Sequence, residues 1–531
     1  MIAFFFGNSL KERKYILTII GCCLLSYTVF LLFQFYFTEG QMGVPLDDTW
    51  IHFQFADNFS NGHFFEYNVG EPTAGTTSPL YVIILAAASF VSDNFIFNSI
   101  FISVVFHILS CILIFKLSLS IFSGTEIKKL IEKLGIDIYD ASLLTGLLTV
   151  FSGRFVWAGM SGMETSMFTF FTIWAIYNYV VNKGKPSEIY GTSILLALCT
   201  ISRPEGFLLF SIYVALRVFN CIKEKSLRAN FLKLFVSCFL FLVIALPYFI
   251  FSYKVSGHFF PNTFRGQGGD LHILPGLTYL RIVAVYFCRD NLVTGLFYLA
   301  GFVYLLLNIK KLIRGEFGNM TLILLWIFLL PLVSSFLVPN WRHHVRYMIP
   351  VIPFVNIAAV YFLSIFIQLP RLARIRNFLT PKPKRYATII IASLIYYTVY
   401  AIAYGRNTDN INDQQVRLAE WVSKNVGREE TIAVNDIGAI IYLNKNRVID
   451  MAGLVTPEVL KYREYTWDDN LDSLNSLLKK NNVSYIIIYD FWFAEYMAKY
   501  GDELTFVTSA ILEHNTICGG KEMKVFKTNF K

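Results

Sequence analysis

The sequence predicts a polytopic α-helical membrane protein of about eleven transmembrane helices, followed by an extracytoplasmic α/β domain. Three observations predict this. Of 531 residues, 55% are hydrophobic and only 16% are charged, against about a quarter charged in soluble proteins. Apolar runs near the length needed to cross a bilayer, about 20 residues, recur along the first 405 positions. Lysine and arginine then gather on alternate loops between those runs.

The runs lie near 15–37, 95–117, 141–158, 165–181, 189–202, 206–222, 232–252, 290–308, 319–338, 347–368 and 386–404. The run 79–92 is too short to span and stops at Ser92-Asp93-Asn94, so it reads as an interfacial or re-entrant helix. The first run is longer than a signal-peptide core and has no convincing small-residue cleavage site, so it reads as a span. With the N-terminus in the cytoplasm, the inner loops collect Lys11, Arg13 and Lys14, then Lys128, Lys129 and Lys133, and later Arg371, Arg374 and Arg376. The outer loops hold few basic residues. The formal net charge of +9 is therefore mostly a topology signal, which removes nucleic acid as a partner. Eight cysteines without a CxxC pair exclude a disulfide framework or zinc ribbon. His107, in mid-span, reads as a packed and satisfied histidine.

This divides the chain into a membrane domain, 1–405, with a first outer loop at 38–79, and an outer domain, 406–531. In the outer domain "QQVRLAEWVSKNV" has helical spacing. "TIAVND", "RVIDMAG", "SYIIIYD" and "EMKVFKTNF" read as strands, with helices near 456–463 and 469–480.

The outer ends of the spans are rich in polar residues: "LDDTWIHF", "GEPTAGTTSP", "SGMETS", "SRPEG", "SGHFFPNTF" and "NWRHHVRY". Ionisable groups at membrane depth mark functional sites. An enzyme on the outer face has no cytosolic nucleotide sugar, so a sugar donor must arrive on a lipid such as a polyprenyl phosphate. Such chemistry needs a carboxylate to accept a proton from the acceptor hydroxyl, supplied by Asp47 or Asp48. It needs cations to stabilise the departing phosphate, supplied from Arg203, Lys254, Arg342, His343, His344 and Arg346. It also needs a groove for the lipid tail between aromatic-rich helices. "TWIHFQFADNF" reads as an amphipathic helix ended by Asn61-Gly62, so one aspartate of the pair, Asp48, is expected as its N-cap, with Asp47 as the base. Glu164 and Glu205 each begin a span. They read equally as helix-dipole partners, with Glu205 pairing Arg203, or as contacts to sugar hydroxyls. His52 and His63 read as lining the loop surface or hydrogen-bonding locally.

"LDDTWIHFQFADNFSNGHFFEYNVGEPTAGTTSPL" resembles the first outer loop of GT-C glycosyltransferases, which use polyprenyl-phosphate-linked sugars. Its character is similar to the bacterial subgroup typified by the terminal arabinofuranosyltransferases of mycobacterial cell walls. The likeness continues at "SGMET", "SRPEG", "HFFPNTF", "RYMIP" and "VIDMAGLVTPEV", and so covers nearly the whole chain. The resemblance implies Asp47 as catalytic base. It implies Asp48 as its orienting neighbour, or as a ligand for a divalent cation in members that use one; no other cofactor is implied. It also implies a bacterial inner-membrane enzyme of envelope glycan biosynthesis, taking a polyprenyl-phosphate sugar to a glycan, lipid or protein acceptor. The alternatives are a lipid or polysaccharide flippase and a glycan polymerase or ligase. A flippase would carry charges at mid-bilayer in repeated broken helices; a polymerase or ligase relies on arginines rather than a first-loop acidic pair.

Overall fold

The structure, a computed structural model, describes residues 7, 9–133, 135–266, 273–366, 368, 382–462 and 468–530. Among the described residues, six helical stretches are long and apolar enough to cross a membrane: Leu10–Phe37, Phe95–Phe122, Gly206–Lys223, Leu227–Ser256, Met320–Leu337 and Arg342–Phe366. The chain is an integral membrane protein. The basic residues expected at 371, 374 and 376 lie outside the described residues.

One expected span is bent into two helices. The run 141–158 is two helices, Ile138–Val150 and Gly153–Met160, bent by 59°. A Cβ on Gly153 would come 2.7 Å from the Cα of Tyr397, so the second helix packs tightly against the helix Lys382–Ile411. The expected span 290–308 is the single helix Leu292–Leu307, set off at Asn291 from the preceding helix Leu277–Asp290. The Asn291 side chain accepts from the N–H groups of Val293 and Thr294, a local cap that competes with continuing the first helix. The short run after the loop 38–79 is an 11-residue helix, Pro79–Ser89, with proline at its first position, where a missing N–H costs nothing.

The helix Asp47–Ser60 carries its two carboxylates in the first turn, where the helix dipole favours negative charge. Trp50, Phe53, Phe55 and Ala56 are buried along it. Thr49 Oγ1 donates to the Ser161 carbonyl at 2.9 Å, and the hydroxyl of Tyr81 donates to the Gly162 carbonyl at 2.6 Å. The first bond ties this helix, and the second ties the helix Pro79–Ser89, to the turn that precedes the helix Thr165–Val181.

The C-terminal part is a five-stranded sheet of β1 (Thr431–Val434), β2 (Val448–Asp450), β3 (Val483–Ile488), β4 (Leu504–Ile511) and β5 (Glu522–Thr528), in the order β2-β1-β3-β5-β4. β2, β1 and β3 are parallel, whereas β5 and β4 are antiparallel. β4 escapes the sequence reading because it is largely exposed and shows no clean apolar alternation. The helix Lys382–Ile411 runs through a π-helical turn, Asn412–Val416, into Arg417–Asn425, so a continuous helical rod joins the two parts.

The loop 38–79 is stitched to this sheet. The Asn68 side-chain amide donates to the Val448 carbonyl at 3.0 Å and accepts from the Val448 N–H at 2.9 Å. Tyr67 donates to the Ile437 carbonyl at 2.8 Å, and Arg447 pairs with Glu71 at 2.7 Å. Buried polar groups satisfied across an interface in this way fix its register.

Candidate active site

Asp47 and Asp48 begin the same helix yet face different neighbours. Neither caps it: the cap position is Leu46, without a side-chain bond. The expectation that Asp48 is the N-cap is therefore corrected. Asp47 receives two backbone N–H bonds from the other domain, Gly438 N to Oδ2 at 2.7 Å and Ala439 N to Oδ1 at 2.8 Å. These N–H groups open the short helix Gly438–Asn444 and have no partner within it. Burial and the neighbouring carboxylate of Asp436 push Asp47 up to about 8, against the pull of the two N–H bonds. Burial also raises Asp436, to about 6, although Tyr489 and Gln415 donate to it. A Cβ on Gly438 would fall 2.1 Å from the Asp47 carbonyl oxygen, so only glycine allows this contact.

Asp48 instead faces a cavity of about 430 Å³. Its lining combines polar side chains, Asp48, His52, Glu164, Arg203, Glu205 and Arg346, with apolar ones, Phe207, Leu208, Phe260, Phe264, Leu330 and Leu337. Leu454 of the C-terminal part and Thr76 and Thr77 of the loop 38–79 also line it. An amphipathic cavity of this size fits a polar headgroup continued by an apolar chain.

Two arginines line the cavity, in different states. Arg203 is saturated. It reaches Glu164 through Nη1 at 2.7 Å and Glu205 through Nη2 at 2.6 Å and Nε at 3.2 Å. Glu164 also meets His52 Nε2 at 3.2 Å. Burial pushes the Glu164 carboxyl up, but the His52 hydrogen bond and the Arg203 charge overcome this and hold it at about 2. Arg346 pairs with Asp48 through Nη2 at 2.5 Å. Its Nη1 is buried without a hydrogen-bond partner among the described residues. Burial would raise Asp48, yet Arg346 holds it below the usual carboxylate range. Both guanidinium groups lie over the ring of Tyr347, at 4.8 and 5.3 Å.

Arg346 is presented by a strained turn. His343, His344 and Val345 all have positive φ, at 51°, 61° and 54°, a region costing a non-glycine residue about 1–3 kcal/mol. The turn is held by Arg154, which pairs with Asp290 and donates to the His344 carbonyl at 3.1 Å. Strain kept in place by a buried ion pair is typical of functional geometry.

The expected residues thus separate. Asp48, Glu164, Arg203, Glu205 and Arg346 meet at one cavity. His344 packs between Trp157 and Tyr400 and hydrogen-bonds Asn407. His343 is half-buried and, with His344, lies off the cavity wall. Arg342 is exposed and stacks 5.6 Å over the ring of Trp492. Lys254 is exposed at the end of its helix. His52, expected on the loop surface or in a local hydrogen bond, is instead buried against Glu164, 112 positions along the chain. Its position four residues after Asp48, on the same helical face, is the signal that could have found it. Gly438 carries no comparable signal.

The chain was compared with known proteins. A domain of unknown function, DUF8728, matches residues 409–526. No curated protein resembles the chain closely enough to count as a match. Among solved structures, ArnT from Cupriavidus metallidurans bound to undecaprenyl phosphate is 12% identical. It aligns at a TM-score of 0.57 over 96% of this chain and 98% of ArnT. The Archaeoglobus fulgidus oligosaccharyltransferase, in complex with zinc and sulfate, aligns at 0.55 with 12% identity over 88% of this chain and 67% of that one. Both have the GT-C architecture, and the chain has the GT-C fold.

Proposed function

We propose that the protein is a glycosyltransferase that moves a sugar from a polyprenyl-phosphate donor to an acceptor hydroxyl outside the cytoplasm. The observation that carries this reading is Arg346 Nη1, a buried cationic donor without a hydrogen-bond partner among the described residues, in a cavity that is otherwise lined largely by apolar side chains. A buried guanidinium N–H without an acceptor is costly, and a phosphate oxygen is the acceptor that guanidinium forks fit best. The fold is shared with ArnT, whose structure holds undecaprenyl phosphate.

In this reading the lipid tail lies along Phe207, Leu208, Leu330 and Leu337, and the phosphate takes Arg346 Nη1. Glu164, Glu205 and His52 accept or donate to sugar hydroxyls, held in place by Arg203. Asp48 is the general base. The phosphate competes for Arg346, which weakens its hold on Asp48 and raises the basicity of that carboxylate. Asp48 then takes the proton of the acceptor hydroxyl as its oxygen attacks the anomeric carbon. The bond to phosphate breaks in the same displacement, inverting the configuration, and the charge leaves on the lipid phosphate beside Arg346. Asp47 is a positioning residue, fixing the start of the helix through Gly438 and Ala439.

The reading includes about eleven spans, a cytoplasmic N-terminus and a bacterial inner-membrane location. It also includes a membrane domain over 1–405 and an outer domain over 406–531 that helps to receive the acceptor. His343, Arg342, His344 and Lys254 lie beyond the reacting atoms. The test is transfer by the purified chain from a panel of polyprenyl-phosphate sugars. Wild-type protein is expected to turn over with at least one of them. Asp48→Asn should lose about 10²–10⁴-fold in turnover while still binding donor. Wild-type turnover in Asp48→Asn removes it as the base, and donor binding unaffected by Arg346→Ala removes the phosphate site.

A further inference from the structure

Away from the cavity, two of the apolar helices meet at a cluster of soft ligands. Cys23 of Leu10–Phe37 faces His107 and Cys111 of Phe95–Phe122. One ligand atom from each lies within 4.8 Å of the others, and all three side chains are fully shielded from solvent. His107 and Cys111 are four residues apart, which places both on one face of a helix, as in the paired ligands of helical metal sites. Cys111 Sγ is 4.0 Å from His107 Nδ1. The Tyr27 hydroxyl, one turn after Cys23, is 2.6 Å from the same nitrogen. The imidazole cannot easily turn away: the Phe155 ring centroid lies 4.2 Å from its own, and even a Cβ on Gly159 would come 2.8 Å from its Cδ2. Its other nitrogen, Nε2, is buried with no hydrogen-bond partner among the described residues. Nδ1 is thus fixed toward the sulfurs while the ring as a whole is under-satisfied.

We propose that Cys23, His107 and Cys111 bind a thiophilic divalent cation, zinc in the ordinary case, clasping the first long helix to the Phe95–Phe122 helix. From Zn–S and Zn–N bonds of about 2.3 and 2.0–2.1 Å, tetrahedral ligands stand about 3.5–3.8 Å apart. The observed cluster needs to contract by about 1 Å, within the reach of side-chain rotation. Binding releases two thiol protons, and two thiolates with a dipositive ion and a neutral imidazole sum to zero charge. A neutral complex is the least costly one within a bilayer, and this favours a dipositive over a monopositive ion. Nδ1 gives its lone pair to the metal and the imidazole proton stays on Nε2. The freed Tyr27 hydroxyl donates to a thiolate, orienting it as outer-shell groups do. The ligand set is soft and buried, distinct from the carboxylates of the cavity, and the clasp has no part in the transfer chemistry.

The experiment uses the whole chain in detergent and reads the metal itself. Zinc is measured by mass spectrometry after purification, with about one ion per chain expected at such a site. Apo-protein is then titrated with cobalt(II), where thiolate-to-cobalt charge-transfer absorption should appear. Cys23→Ser and Cys111→Ser should each lose both signals, and Cys22→Ser, on the neighbouring residue, should keep them. If the cysteine variants do not fold, the wild-type titration decides alone. Wild-type chain that gives no charge-transfer band, or that is isolated with Cys23 and Cys111 joined as a disulfide, overturns the proposal.

Discussion

Arg203 and Arg346 are two buried arginines over the same tyrosine ring, and they differ in how completely they are paired. Arg203 spends its donors on two glutamates, one of them braced by His52. Arg346 spends one nitrogen on Asp48 and leaves another without a partner among the described residues. A closed set of buried charges is scaffolding, because removing one partner strands the others. An open one waits for a ligand. The difference predicts that the two arginines fail differently when changed: one in folding, the other in binding.

The largest effect is expected at the carboxylate beside the open arginine. Asp48→Asn should lower turnover about 10²–10⁴-fold, and donor affinity should hold or rise because Arg346 no longer shares its charge. Single-turnover kinetics with separate donor-binding measurements test this, and a loss confined to donor affinity breaks it. Next, Arg203→Ala should destabilise the fold by about 3–5 kcal/mol, the usual cost of leaving a buried charge uncompensated. Thermal unfolding in detergent reads this. A folded variant of ordinary melting temperature would erase the contrast between the two arginines. Arg346→Lys keeps the charge but not the fork geometry, and should weaken donor binding about 10-fold or more with little change in melting temperature.

Asp47→Asn sharpens the boundary between the domains. Asparagine can accept from only one of the Gly438 and Ala439 N–H groups through its oxygen, and the stranded donor should cost about 1–3 kcal/mol. The same residue sets a pH trend. A carboxyl held at about 8 in the fold and near 4 in the unfolded chain favours the folded state fully below pH ~4. That contribution is lost progressively as pH rises through about 8. Asp436, raised to about 6, acts in the same direction, and the lowered Asp48 opposes it at acid pH. Stability measured between pH 5 and 8 should therefore fall less steeply in Asp47→Asn than in wild type. The smallest effect is expected for Arg342→Ala, which loses an exposed stacking contact with Trp492 worth about 0.5–1 kcal/mol and should leave turnover near wild type.

Much of the site was legible one segment at a time. "LDDTWIHF", "SGMETS", "SRPEG" and "NWRHHVRY" each contribute a residue to the cavity, because polar groups at the ends of apolar helices stand out by composition. Arg342 and Lys254 read the same way and lie elsewhere, since exposure at a helix end does not say which way a long side chain turns. His52 was missed because a histidine on an amphipathic helix is ambiguous until its neighbour is known. Gly438 was missed because its role is to lack a side chain where Asp47 arrives.

By itself the sequence determined what is local and repetitive: the apolar helices, the sign of the charges between them, four of the five strands and the helix that begins with two aspartates. These follow from side-chain periodicity and chain-neighbour sterics, which act over a few residues. Only the tertiary structure decided which charges are closed and which are open. Arg203 finds Glu164 across 39 positions, and Asp47 finds Gly438 across 391. Such pairings depend on desolvation and geometry where distant segments meet, and no spacing along the chain encodes them.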